Sequence, residues 1–257
     1  MTFFNNVNLI NNFGSFPINK LGFRGSDQQI FPQNYTQGKD AFSTNPLYDN
    51  FGTKAQIEAI AKSNPTIVQM LKENKIPLKV NVKELEDLKK GHLKNSRVTA
   101  AKMYSNLPNE LKRDVNLSDL QQAAMLHDYG KVLIPNEILN KKGALTPDER
   151  KIMELHSELG YELLKTQNLK QSVLDMIKYH HQNPAGTGYP QAHKDFEYNT
   201  ELAMLAAADK YSALTENRSY KSAMPRGEAL EIIQKDVDTG QLPQEVFDAL
   251  KKSVSSD

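Results

Sequence analysis

From residue 53 onward, apolar residues recur at helical spacing in one segment after another, and no convincing strand pattern interrupts them. A chain patterned this way must bury its apolar stripes helix against helix, so the fold class is all-α. AQIEAIAKS and PTIVQMLKE form a first pair, split at Asn64-Pro65, where proline ends one helix and opens the next. VKELEDLKKG follows, with Gly91 as its stop, and then HLKNSRVTAAKMYSNL. In SDLQQAAMLHDYG, Ser118 and Gln121 have capping-box spacing. The clearest start lies in TPDERKIMELHSELGYELL, where Thr146 is the N-cap, Pro147 the first helical residue and Glu149 the box partner. QSVLDMIKYHHQ, TELAMLAAADKYSALTE, PRGEALEIIQKD and LPQEVFDALKKS complete the series.

Residues 1–52 differ: they are dense in Asn, Gly, Pro, Ser and Phe and lack any sustained period. They read as a flexible tail, or as a segment whose Phe13, Phe16, Phe23 and Phe31 dock on a partner or on the protein itself. Residues 53–80 read as a short helical extension and 81–257 as the principal domain. No stretch approaches the ~20 apolar residues of a membrane span, and the first residues lack a leader pattern, so a cytoplasmic, membrane-free protein is expected. Lysine plus arginine number 32 against 31 acidic residues, so no global field points to a nucleic-acid polymer. The 257 residues include no cysteine, which excludes disulfides, thiolate metal sites and cysteine nucleophiles.

Against this background, certain polar residues stand where core residues are expected. His127 and Asp128 close the apolar run AAML; Asp209 ends AMLAAA; His156 shares a face with Ile152, Leu159 and Leu163; His180 and His181 follow Val173, Leu174 and Ile177. Any one of these can be a hydrogen-bonded core residue. As a set they are different, because separate helices of a bundle can bring them to one place. Imidazoles and carboxylates without thiolates suit Fe, Mn, Zn or Ni rather than a calcium cage. A carboxylate such as Asp128 can bridge two cations, a common device for hydrolysing phosphate esters.

The residues also resemble a known family. His-Asp at 127–128 is the doublet that names the HD phosphohydrolase superfamily. HDYGKVLIPNEILNKKGALTPDERKIMELHSELG, HHQNPAGTGYP and ADKYSALTENRSYKSAM are similar to successive blocks of the HD-GYP family, bacterial phosphodiesterases that open cyclic di-GMP. The likeness covers roughly residues 90–250. It implies an HD-domain helical bundle with a metal site between core helices. His127, Asp128 and Asp209 match the core ligands, with Asp128 bridging, and His156, His180 and His181 match the ligands of a second metal. Two divalent metals, or three, are implied, with Fe or Mn ahead of Ni or Zn. Lys131 matches a lysine that holds a substrate phosphate, and a metal-bridging hydroxide would be the nucleophile. Gly188, Tyr189 and Pro190 match the name-giving loop, a structural lip or a stacking surface for guanine. Arg218 and Lys221 match cationic positions near the substrate. The implied partner is a cyclic dinucleotide; a regulatory protein partner or a homodimer stays open.

Departures from the family pattern leave alternatives. Anchoring on Arg97-Val98 puts Lys94 where the family has its first histidine. Helical geometry instead groups His92 with Ser96, Thr99, Met103 and Leu107, with Lys94, Arg97 and Lys102 pointing elsewhere, which favours His92 as the ligand. Gln182 and Ser212 stand where the family has carboxylates that could orient imidazoles, and Ala185 replaces an acidic residue before the loop glycine. Arg-Pro-Tyr-Arg reads Arg-Ser-Tyr-Lys. His193, among Lys194 and Asp195, is expected to be exposed. The alternatives to a cyclic di-GMP phosphodiesterase are a receptor that binds a cyclic dinucleotide with little or no turnover, and a phosphohydrolase for another nucleotide.

Overall fold

The computed structural model describes residues 53–194, 196–217 and 222–255. The expectations for the tail and for Arg218 and Lys221 lie outside these residues. Among the described residues the regular structure is helical: α1 (Lys54–Ser63), α2 (Pro65–Glu73), α3 (Val82–Lys90), α4 (His92–Asn106), α5 (Asn109–Lys112), α6 (Leu117–Leu126), a 3-10 turn (Tyr129–Leu133), α7 (Asn136–Leu139), α8 (Pro147–Leu164), α9 (Gln171–Tyr179), α10 (Thr200–Thr215), α11 (Arg226–Asp238) and α12 (Gln244–Ser255). A single isolated bridge, His181 to Tyr189, is the extended pairing they contain.

Local chemistry sets most boundaries. Thr146 accepts from the Glu149 N–H while the Glu149 side chain reaches back to the Thr146 N–H, with Pro147 in the first turn, as the sequence predicts for α8. Asn64 serves two helices: its N–H closes α1, and its side-chain oxygen accepts from Thr66 and Ile67 to open α2. One expected cap is displaced. Helix α6 is capped by Asn116, whose side chain accepts from the Asp119 N–H, rather than by a Ser118–Gln121 box. The helix ends at Leu126, and His127 and Asp128 lie at and beyond its C-terminus, where the chain tightens into the 3-10 turn.

Helix α4 is central, packing against α6, α10 and α12, while α8 packs on the 3-10 turn and on α9. Because α4 is enclosed on several sides, Arg97 is buried along with His92, Ser96 and Thr99, contrary to its expected outward orientation. Ile57, Ala61, Ile67 and Leu71 from α1 and α2 join the same buried cluster as Leu120, Leu159 and Leu205. Residues 53–80 thus contribute side chains to the main core. None of the described helices is long and apolar enough to cross a membrane.

Gly130 explains how the 3-10 turn reaches α8. A Cβ there would lie 2.0 Å from the His156 carbonyl oxygen and 2.5 Å from the Gly160 nitrogen, so only glycine allows the approach. That approach brings Asp128 alongside His156.

Candidate metal centre

Five imidazoles and two carboxylates converge at one place, each delivered by a helix or a helix end. His92 is the first residue of α4, His127 and His180 follow α6 and α9 directly, His156 lies within α8, and Asp209 lies within α10. They form two clusters: His92, His127, Asp128 and Asp209 in one, His156, His180 and His181 in the other, with donor atoms within 4.8 Å of one another in each. Asp128 serves both. Its Oδ2 is 3.4 Å from His92 Nε2 and 3.6 Å from His127 Nε2, while Oδ1 is 3.4 Å from His156 Nε2 and 4.0 Å from His180 Nε2.

Hydrogen bonds to the backbone fix which ring nitrogen faces inward. His127 Nδ1–H donates to the Ala124 carbonyl at 2.9 Å, His156 Nδ1–H to Met153 at 2.6 Å, and His180 Nδ1–H to Ile177 at 2.8 Å. In each case the acceptor lies three residues earlier, so the preceding helical turn itself sets the tautomer and leaves Nε2 with a lone pair. These tautomers follow from the network. The carboxylates missing at positions 182 and 212 are therefore not needed to orient these three rings. Gln182 is buried and instead donates from Nε2 to the Pro190 carbonyl at 2.6 Å, tying down the loop. Ser212 is buried, and its hydroxyl makes no hydrogen bond.

The residues fit divalent cations. His156 Nε2 lies 3.2 Å from both His180 Nε2 and His181 Nε2. His156 and His180 have spent their single proton on backbone carbonyls, so their bare nitrogens repel at that distance unless a cation lies between them. His127 Nε2 and Asp128 Oδ1 are buried with no hydrogen-bond partner, a loss of about 1–3 kcal/mol each that coordination would recover. An oxygen and nitrogen donor set of this kind suits Mn, Fe, Ni or Zn.

Charge is divided unevenly. Burial raises the pKa of Asp128 and Asp209, but neighbouring groups outweigh it and hold both well below the usual carboxylate range. For Asp128 the Lys131 ammonium leads, followed by the facing His127, His156 and His92 rings; for Asp209 it is contact with the His127 and His92 rings. Burial also disfavours charge on His92, yet its hydrogen bonds to Asp209 and Glu216 and the nearby charges push it up to about 9. On the other side burial wins: His156 falls to about 3, His181 to about 4, and His180 well below its ordinary value.

His92, not Lys94, enters the site; Lys94 is exposed, and His92 Nε2 lies 2.8 Å from Asp209 Oδ1. Lys131 lies on the 3-10 turn and donates to Asp128 Oδ2 at 2.5 Å while lining the adjoining cavity. Gly188 is required where it stands, since a Cβ would lie 2.1 Å from the His181 carbonyl oxygen. The Tyr189 ring stacks on His181, with centroids 4.5 Å apart and planes at 29°, so it acts as a lip over that imidazole. His193 is exposed, beside the rings of Tyr179 and Phe196.

Two features escaped the sequence reading. One is Glu216, whose Oε2 lies 3.4 Å from His92 Nδ1. It follows Asp209 by two helical turns, so a search for acids on the same face of that segment would have found it. The other is the wall formed by α3. Asn81, Glu84 and Asp87 line the cavity of about 800 Å³ that opens over His92, Lys131 and Asp209. That wall precedes the region that resembles the family, and no local signal marks it.

Buried histidines and aspartates gathered from separate helices around a shared carboxylate define a helical protein with two donor clusters that could bind metal. A family model described as the HD domain matches residues 58–246, and the chain belongs to that family. Among curated proteins it is 37% identical over 123 residues to a cyclic di-GMP phosphodiesterase of Thermotoga maritima, covering 47% of this chain and 33% of that one. It is 33% identical over 158 residues to 3'3'-cGAMP-specific phosphodiesterase 3 of Vibrio cholerae, covering 60% and 34%. The chain thus spans about a third of the length of these relatives. A solved structure, an HDG"Y"P protein from Bdellovibrio bacteriovorus, shares the fold at TM-score 0.51 and 17% identity, covering 82% of this chain and 67% of that one.

Proposed function

We propose that this chain is a metal-dependent phosphodiesterase that opens a cyclic dinucleotide, with cyclic di-GMP as the substrate and two divalent transition metals, Fe or Mn ahead of Ni or Zn, as cofactors. The observation that carries this reading is Asp128, a buried carboxylate with one oxygen turned to each of two ligand clusters. Its relatives' names, cyclic di-GMP phosphodiesterase and 3'3'-cGAMP-specific phosphodiesterase, support the substrate class.

His92, His127, Asp128 and Asp209 would hold one cation, and His156, His180 and His181, with Asp128, the other. Divalent cations bound there would polarise a phosphoryl oxygen and acidify water. The chain's own residues do the rest. The backbone carbonyls of Ala124, Met153 and Ile177 hold three imidazoles with their lone pairs inward. Lys131 supplies an ammonium at the cavity floor, positioned to neutralise charge growing on a non-bridging phosphate oxygen. Tyr189, seated on His181, covers the second cluster. Arg218 and Lys221 are proposed to contact the substrate on the strength of the motif.

The test is turnover by protein loaded with Mn or Fe. Hydrolysis of cyclic di-GMP to its linear dinucleotide or to GMP is expected. The reading fails if the loaded protein cleaves neither cyclic di-GMP nor bis(p-nitrophenyl) phosphate.

A further inference from the structure

We propose that Glu216 is a positioning residue of the metal centre: it holds the Nδ1–H of His92 and so presents the Nε2 lone pair of that ring to the first cluster. The inference rests on the metal centre of the function proposed above, but on no property of the substrate.

The geometry sets His92 apart from the other ligands. His127, His156 and His180 each satisfy Nδ1–H on the carbonyl three residues earlier, at the end of or within a helix. His92 cannot, because it opens α4, and the residues that precede it do not form the turn beneath it. Its orienting acceptor must come from elsewhere in the fold. Helix α10 supplies it. Asp209 Oδ1 lies 2.8 Å from His92 Nε2, and Glu216, at the C-cap of the same helix, places Oε2 3.4 Å from His92 Nδ1. Both nitrogens of the ring are thus addressed by carboxylates two turns apart on one helix. Glu216 is held in turn: Asn95, one turn beyond His92 on α4, donates from Nδ2 to Glu216 Oε1 at 2.6 Å. His92, Glu216 and Asn95 form a clip between α4 and α10.

The clip has a chemical consequence. A neutral imidazole has one proton, and if it resides on Nε2 the ring cannot ligate from that atom. In the metal-free ring Asp209 also holds a proton on Nε2; once a cation takes that side, Glu216 keeps the remaining proton on Nδ1. A carboxylate acceptor also makes the imidazole a stronger donor than a neutral carbonyl does. The register that leaves Lys94 at the family's histidine position is thereby accommodated: a histidine at the very start of the helix becomes a competent ligand because a side chain, not its own helix, orients it.

The experiment compares wild type with E216A, E216Q and N95A. Zinc affinity and stoichiometry are measured by competition with a chelator of known affinity. The His92 tautomer is read by imidazole nitrogen–proton NMR of the zinc-loaded protein, and thermal unfolding of metal-free protein checks folding. E216A is expected to bind one of two zinc ions about 10–100-fold more weakly and to lose the uniform Nδ1–H signal of His92. E216Q, which keeps an acceptor oxygen, should retain the tautomer and lose less affinity, and N95A should fall between E216Q and wild type. Unchanged zinc affinity with an unchanged tautomer in E216A overturns the proposal. If E216A does not fold, wild-type zinc affinity in N95A and in E216Q together overturns it. Normal metal binding without any phosphodiester cleavage would instead overturn the functional reading and leave this one standing.

Discussion

The two halves of the metal centre solve the same problem in opposite ways. The half built on His92, His127, Asp128 and Asp209 mixes signs, so its groups stabilise one another's charges: both carboxylates stay ionised and His92 is drawn towards protonation. The half built on His156, His180 and His181 contains imidazoles alone, and burial keeps all three neutral. The first half can satisfy itself by taking up a proton. The second holds bare nitrogens 3.2 Å apart and has no acid of its own beyond the shared Asp128. A charged cluster is assembled by mutual attraction, whereas a neutral one must be forced together by packing around it. Gly130 and the Tyr189 lip are where that packing is visible.

The largest expected effect comes from the residue that belongs to both halves. Asp128→Ala should empty both clusters and lower phosphodiesterase activity by more than the roughly 10–100-fold typical of an outer partner. Elemental analysis of protein purified without chelator, beside kinetics, would check it. Retention of two metals by Asp128→Ala would show that the halves do not share a ligand. Next, His156→Ala and His92→Ala should each lose about one metal of two while sparing the other. If either variant loses both, the division into halves is wrong.

A smaller effect follows from protonation in the metal-free protein. His156 and His181 titrate at about 3 and about 4 when folded, against 6.5 unfolded. Below pH 6.5 the unfolded chain therefore binds protons that the folded chain refuses, and stability falls as pH drops from 6.5 towards 4. His92, raised to about 9, has the opposite sign: its contribution is full below pH 6.5 and is lost as pH rises through 9. Thermal unfolding from pH 4 to 10 should show a maximum between these limits. His181→Ala should flatten the acid limb and His92→Ala the alkaline limb. If either variant alters both limbs equally, the halves are not electrostatically distinct.

The sequence announces the two halves unequally. The imidazole half was legible because His156 sits at regular spacing within a long, well-capped helix, and His180 and His181 end an apolar one. The acid-rich half was legible in its members but not in its supports. His127 and Asp128 could be picked out as misfits in an apolar run, yet the helix ends at Leu126 and the doublet lies at and past its end, where the chain turns into the 3-10 segment. Periodicity could place Glu216 on the Asp209 face, but its role against His92 depends on how α10 lies against α4, a tertiary fact that one segment does not carry. The carboxylates absent at 182 and 212 looked like losses for the same reason. The acceptors that replace them are the backbone carbonyls of Ala124, Met153 and Ile177, which no residue type advertises.

Gln182 offers the finest test of the difference between the halves. Its buried amide donates to the Pro190 carbonyl at 2.6 Å, and the neighbouring Tyr189 ring lies on His181. Among the described residues, its hydrogen bonds run to the Pro190 carbonyl and from the Asn183 N–H, not to the acid-rich cluster. Gln182→Ala removes one buried hydrogen bond, worth about 0.5–1.5 kcal/mol. If the imidazole half is held by packing, loosening its lip should weaken one metal by about two- to tenfold and leave the other unchanged. Gln182→Glu should also perturb that half, because a carboxylate cannot donate to the Pro190 carbonyl. Equal weakening of both metals would mean that the lip stabilises the domain as a whole. The imidazole half would then owe its geometry to the helices α8 and α9 alone.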